Sequence, residues 1–292
     1  MELRTPGRGS LSLHRPRVMG ILNVTPDSFY DGGTHEQVQA AVASGVALAR
    51  AGARIIDVGG ESTRPGAERV AAEQQRRRVL PVIAALRAAL DDAGLEAWIS
   101  VDTTRAEVAE PALDAGADML NDVSAGREDE RMLTLAAQRG VPIVLMHMRG
   151  EPGTMQRNPA YTDVVAEVRA YLLKRAAAAE AAGATASQIV LDPGIGFGKR
   201  LEHNLALLAR LDAFVATGHP VLLGTSRKRF IEYASPTTSS AAADRLGGTC
   251  ATTALAVDAG VRLFRVHDVR ENLQAAELAQ AVELGEPLTA EG

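Results

Sequence analysis

The chain has 292 residues, 46% of them hydrophobic and 23% charged, which allows a large buried core in one big α/β barrel or two ordinary domains. With 3% aromatic residues and a net charge of −5, it lacks the stacking platforms and basic face of a nucleic-acid binder, so no nucleic-acid partner is expected. No apolar run approaches the roughly 20 residues that cross a bilayer, residues 1–15 lack the apolar core of a secretory signal, and the single cysteine, Cys250, cannot make an internal disulfide. The reading is a soluble cytoplasmic protein without a membrane partner.

In chain order, residues 1–15 form an N-terminal extension, and residues 16–292 show no linker, low-complexity tract or second domain. Short Val/Ile/Leu-rich runs at about 17–23, 54–58, 97–102, 118–122, 142–147, 188–192, 219–224 and 262–266 read as buried strands. Ala/Leu/Arg/Glu segments with helical spacing alternate with them, at about 36–51, 70–91, 105–115, 129–139, 163–182, 202–211, 241–259 and 270–284. Phrases such as ARAGARIIDVGG, LDAGADMLNDV and AVDAGVRLFRV end a helix at glycine and enter the next strand. Strand–helix alternation implies parallel pairing through right-handed crossovers. Eight such units predict a single (β/α)8 TIM barrel of the α/β class rather than an open doubly wound sheet. No G-x-G-x-x-G fingerprint follows the first strand.

Each predicted strand stays apolar until its end and then delivers a residue with chemistry: Asn23, Asp57, Asp102, Asn121 with Asp122, His147, Asp192, Thr225 to Lys228, and Arg265 with His267. In a barrel these ends share one rim, where such enzymes build their active sites. For Asp57 and Asp122 taken singly, a capping or turn role is the favoured reading, though it explains eight such strand ends at once poorly. Asp102, Asn121 and Asp192 offer oxygens that suit a ligand with adjacent N–H donors, such as an aminopyrimidinone edge. Arg265, His267 and Asn23 suit an anion, and the helix starting near residue 270 favours negative charge at its N-terminus. Asn23 alone is a weak metal signal, compatible with a magnesium held mainly by phosphate and water. LDPGIGFGK (191–199) lacks P-loop spacing, and its glycines fit a tight turn beside Asp192. His147 reads equally as a packed strand-end residue. No zinc pair and no G-x-S-x-G elbow occur. Lysine is found only at 174, 199 and 228 in a chain that otherwise uses arginine, which raises the question of what an arginine fork fails to do at those places.

The segments MGILNVTPDSFYDGG (19–33), IIDVGGESTRPGA (55–67), SVDTTR (100–105), MLNDVSAG (119–126), LMHMRGEPGTMQ (145–156), LDPGIGFGK (191–199), LGTSRKRF (223–230) and FRVHDV (264–269) resemble, in order, the motifs of the bacterial dihydropteroate synthases. That resemblance covers about residues 16–285 and implies a pterin-binding (β/α)8 barrel with mobile first and second βα loops. It implies condensation of 6-hydroxymethyl-7,8-dihydropterin diphosphate with para-aminobenzoate, giving 7,8-dihydropteroate and diphosphate, with Mg2+ as cofactor. Carried over by position, Asp102, Asn121, Asp192 and Lys228 would hold the pterin. Asn23, Thr63, Arg64, Arg265 and His267 would meet the diphosphate, with Asn23 also on the metal. Phe29, Pro65 and Ser226 would frame the para-aminobenzoate. Asp31, Lys228, Arg265 and His267 would carry catalysis, with Asp31 stabilising a pterin methylene cation. A homodimer is implied as well. Tyr30, Arg229 and the 149–153 loop depart in detail from the family pattern. Two rival readings share the barrel: a pterin-binding methyltransferase module and a pterin-binding paralogue without catalysis.

Overall fold

The computed structural model describes residues 1–24, 34–62, 69–150, 153–235 and 237–289. Its eight apolar runs are the parallel strands β3 (Arg17–Asn23), β4 (Ile55–Gly59), β5 (Trp98–Asp102), β6 (Met119–Asp122), β7 (Ile143–Met146), β8 (Ile189–Asp192), β9 (Leu222–Leu223) and β10 (Leu263–Val266). Their spatial order is β8-β7-β6-β5-β4-β3-β10-β9. The ring closes where Leu191 N–H donates to the Pro220 carbonyl at 2.9 Å and Leu191 pairs in parallel with Val221. The expected (β/α)8 barrel is therefore present.

Between the strands run the long helices α1 (Thr34–Arg50), α2 (Ala72–Asp92), α3 (Ala106–Asp114), α4 (Arg131–Arg139), α5 (Val164–Ala181) and α6 (Leu201–Ala209), then α9 (Leu246–Asp258) and α10 (Val269–Leu284). Two short helices, α7 (Asp212–Val215) and α8 (Phe230–Ala234), are too brief to leave a periodic signal in the sequence. The glycine corners work as read. After Gly52, Gly116 and Gly260, all at φ between 92° and 109°, the next N–H reaches back to the helix, as Ala53 to Leu48 O, Ala117 to Ala112 O and Val261 to Ala256 O. This satisfies carbonyls that the helix end would otherwise orphan and aims the chain into the next strand. None of the described helices is long and apolar enough to cross a membrane.

The N-terminal extension adds an element that the sequence did not announce. Strands β1 (Glu2–Thr5) and β2 (Gly9–Ser12) form an antiparallel hairpin with Leu3 opposite Leu11. Leu3, Leu11 and Leu13 pack into one cluster with Met19, Ile55, Trp98, Met119, Val144, Val190, Leu222 and Leu263, one residue from each barrel strand. Fully burying each leucine contributes about 1.5–3 kcal/mol before ordering costs. The hairpin thus covers the N-terminal end of the barrel interior, while a larger core lies between strands and helices.

Candidate functional site

Side chains alternate along a strand, so the residues two places beyond that apolar ring also face inward. They are Ile21, Asp57, Ser100, Asn121, Met146, Asp192, Gly224 and Arg265; five of the eight are polar, and the barrel's interior changes chemistry within one strand repeat. The sheet register then aligns Asn23 with Gly59, Asp102 and Asn121 across four neighbouring strands.

Arg265 organises one half of this mouth. Its Nε donates to Asp57 Oδ2 at 2.6 Å and its Nη2 to Asp102 Oδ2 at 2.8 Å, while Asn121 Nδ2 donates to the same Asp57 oxygen at 3.0 Å. Asp57 is fully buried, and its Oδ1 has no hydrogen-bond partner among the described residues. Two carboxylates share one guanidinium, so the group keeps acceptor capacity for a ligand that brings N–H donors. Burial pushes the Asp102 carboxyl up to about 7, with Arg265 pulling it down and Asp57 and Asp122 pushing it further up. Gly59 leaves open the space between Asn23 and Asp102: a Cβ there would lie 3.5 Å from Asp102 Cβ and 3.8 Å from Asn23 Oδ1.

The other half is built by β8 and the loop after it. Asp192 accepts from Gly194 N–H at 2.7 Å and is raised by burial, an effect that Lys228 opposes. Lys228 donates from Nζ to the Ile195 carbonyl and stands 4.6 Å from the centre of the Phe197 ring. Burial lowers its amine to about 8; Asp192 raises it and Arg265 lowers it. On the last strand's side, Ser226 Oγ lies 3.0 Å from His267 Nδ1 and accepts from His267 N–H at 3.1 Å. Arg227, at φ 57°, turns to Asp268 with Nε 2.8 Å from Oδ2. The pair expected to divide between aminobenzoate and diphosphate, Ser226 and His267, is thus in direct contact.

Thr63, Arg64 and Pro65 on the second loop, and Phe29 and Asp31 on the first, lie outside the described residues. The second loop's start is tied down: Glu61 accepts from Val70 N–H at 3.1 Å and from Gln75 Nε2 at 2.7 Å, and Gln75 Oε1 accepts from Thr103 Oγ1 at 3.0 Å.

Several strand-end residues serve the fold. Asp122 accepts from Ser124 N–H, Ser124 Oγ and Gly126 N–H, each at 2.7 Å, and is the turn residue that the capping reading described. Burial still raises its carboxyl to about 6. His147 is packed edge-on against Tyr171, with ring centroids 4.8 Å apart. Sequence reasoning left two members of the site without a role. Asp57 could have been found from parity in IIDVG, since Ile55 faces inward. Phe197, the only aromatic in LDPGIGFGK, carried no further mark. Among the described residues no three His, Cys, Asp or Glu side chains gather to hold a metal. The single amide of Asn23, facing the space beside Gly59, is a donor set suited to magnesium that is held mostly by phosphate oxygens and water.

The family profile described as "Pterin binding enzyme" matches residues 19–267. The dihydropteroate synthase of Escherichia coli (strain K12) is 46% identical over 272 residues, covering 93% of this chain and 93% of its own. The Xanthomonas albilineans dihydropteroate synthase solved with 4-aminobenzoic acid superposes with a TM-score of 0.87 at 48% identity, covering 97% of this chain and 98% of that one. The complex of the Xanthomonas albilineans enzyme with 7,8-dihydropteroate gives a TM-score of 0.84 at 44% identity, covering 97% and 99%. Barrel, rim and relatives agree, and the chain belongs to the pterin-binding enzyme family, among the dihydropteroate synthases.

Proposed function

We propose that the C-terminal mouth of the barrel joins 6-hydroxymethyl-7,8-dihydropterin diphosphate to para-aminobenzoate, giving 7,8-dihydropteroate and diphosphate. The observation that carries this reading is the gathering at one mouth of Asp102, Asn121 and Asp192 with Arg265, whose guanidinium bonds to Asp57 and Asp102, and with Lys228 beside Asp192. The N–H donors of the pterin edge pair with Asp102 and Asp192, and Asn121 matches a mixed donor and acceptor position. Lys228 donates to a ring acceptor. The diphosphate lies toward Asn23, Arg265 and His267, and toward Thr63 and Arg64 by resemblance; Ser226 joins Phe29 and Pro65 beside the aminobenzoate.

The step follows an SN1-like course. The bond between the pterin methylene carbon and the diphosphate oxygen breaks, and its electron pair leaves with the diphosphate. Arg265 and His267 meet the charge that grows on that oxygen, a stabilisation strongest at the transition state. Mg2+, when bound through Asn23 and the phosphates, supplies further neutralisation of the leaving group. Asp31 is assigned to the methylene cation. The aniline nitrogen then donates its lone pair to the methylene carbon and gives up its proton to the departed diphosphate or to water, so no strong protein base is required.

We also assign a cytoplasmic homodimer. The dimer's support is that Leu255 on α9 and Leu278 and Val282 on α10 are each at least 65% exposed, apolar surface that a second copy would cover.

The deciding experiment measures diphosphate release from the dihydropterin diphosphate with and without para-aminobenzoate. Release that requires the arylamine supports the reading. Release without it, or none, overturns it in favour of the methyltransferase or non-catalytic alternatives.

A further inference from the structure

The glycine-rich run after β8 and the histidine after β7 take no part in the chemistry just described, yet their backbones are fitted to one another very closely. Gly194 sits at φ 66°, and a Cβ there would fall 1.9 Å from the His147 carbonyl oxygen. Gly198 sits at φ 62°, and a Cβ there would fall 2.4 Å from the Arg149 carbonyl oxygen. Only glycine permits this approach. Lys199 locks the joint. Its side chain is almost wholly buried, and Nζ lies 2.8 Å from Gly194 O, 3.0 Å from Phe197 O, 3.3 Å from His147 O and 2.9 Å from His147 Nδ1. His147 is in turn fixed, its N–H donating to the Asp192 carbonyl at 2.9 Å.

What the loop carries explains the effort. Ile195 supplies the carbonyl that accepts from Lys228, and Phe197 supplies the ring beneath it. Both lie within the stretch whose two ends, the carbonyls of Gly194 and Phe197, Lys199 grips. A site needs such a supporting shell if its groups are to hold their positions to a fraction of an ångström.

We infer that Lys199 is a positioning residue for the pterin pocket: by holding the 194–197 backbone against His147, it fixes the carbonyl and the ring that seat Lys228. This also answers why lysine stands here in an arginine-rich chain. Four acceptors surround one point, which suits a compact amine and not a planar fork.

The inference rests on the assignment of Lys228 to the pterin, and a double-mutant cycle separates the two. Wild type, Lys199→Met, Lys228→Met and the double variant are compared by calorimetric binding of the dihydropterin diphosphate, with a thermal melt of each. Lys199→Met is expected to weaken binding about 10- to 100-fold in the wild-type background and to add little in the Lys228→Met background. The charged groups facing Lys228 are Asp192, Arg265 and Lys199 itself, whose charge His147→Phe retains and Lys199→Met removes. A Lys228 released from its seat becomes better hydrated, so the alkaline limb of the binding profile moves above the wild-type value of about 8. Equal losses in both backgrounds, or unchanged binding with an unmoved limb, overturn the positioning role. If Lys228→Met binds as tightly as wild type, the assignment of Lys228 itself falls. Should Lys199→Met fail to fold, His147→Phe removes one of the four acceptors and enters the same cycle. The same non-additivity at smaller amplitude is then expected, and additivity is fatal to the idea.

Discussion

The two ends of the barrel interior differ in chemistry although the same eight strands build both. At the N-terminal end the strands contribute Met19, Ile55, Trp98 and their neighbours to a dry cluster sealed by the hairpin. Two residues further along, Asp57, Asn121, Asp192 and Arg265 face the same axis and bond to one another or to nearby backbone. A strand repeat of two residues is enough to pass from packing to chemistry, because each inward position is set independently of the last. The apolar end fixes the frame, and the polar end can then hold charges that would be costly to gather on a looser scaffold.

The sharpest way to break this contrast is Arg265→Met. It strips Asp57 and Asp102 of their shared counterion. Turnover should fall about a hundred- to a thousandfold, and a urea melt should show a loss of about 3 kcal/mol. Activity within about tenfold of wild type would mean that the guanidinium does not meet the transition-state charge.

Next in size is Lys228→Arg, which should reduce turnover about a hundredfold because a fork cannot take the seat of a point donor between Ile195 and Phe197. Near-normal activity would sink the claim. A pH series belongs with it. Lys228 loses its proton as pH rises through about 8, and Asp102 gains one as pH falls through about 7. Pterin affinity, which draws on the charged form of each, should therefore be greatest between those values and fall on both sides. A profile that stays flat below about 7 and above about 8 contradicts both assignments.

At the other end, Trp98→Ala should remove about 3–5 kcal/mol of stability by opening a cavity, yet leave turnover per folded molecule within about twofold. A large loss of turnover in fully folded protein would show that the base and the mouth are not separable. The smallest effect is expected at the border between them. The buried Ser100 hydroxyl has no hydrogen-bond partner among the described residues, so Ser100→Ala should change stability by less than about 1 kcal/mol, and in the stabilising direction. A clear loss would reveal a buried water bridging Ser100 toward its register neighbour Asp57.

Much of the frame was legible in the sequence because parallel strands buried on both faces appear as continuous apolar runs, and each αβ corner carries its glycine. The strand-end polar residues were legible for the same reason: they interrupt those runs. The hairpin was not, since ELRT and GSLS are short, bear few apolar residues and gain their stability only from the ring they cover. Asp57 was half visible. Its polarity stood out, but its partner Arg265 lies 208 residues away, and no local pattern reports such a pairing. Lys199 was noticed as an oddity of composition, while the four acceptors around it come from two different loops. For Phe29, Asp31, Thr63, Arg64 and Pro65, resemblance remains the ground of assignment.

The hairpin also has a consequence in time. It is made before the strands that receive it, and the ring around Leu3, Leu11 and Leu13 is complete only once Leu263 has been made. The residues after the hairpin also meet the last described ones: Gln280 Nε2 donates to His14 O at 2.7 Å and Arg15 Nη2 to Thr289 Oγ1 at 3.1 Å. The hairpin's full apolar seat thus waits on the last barrel strand, and damage near residues 1–15 or 280–289 acts on one shared closure.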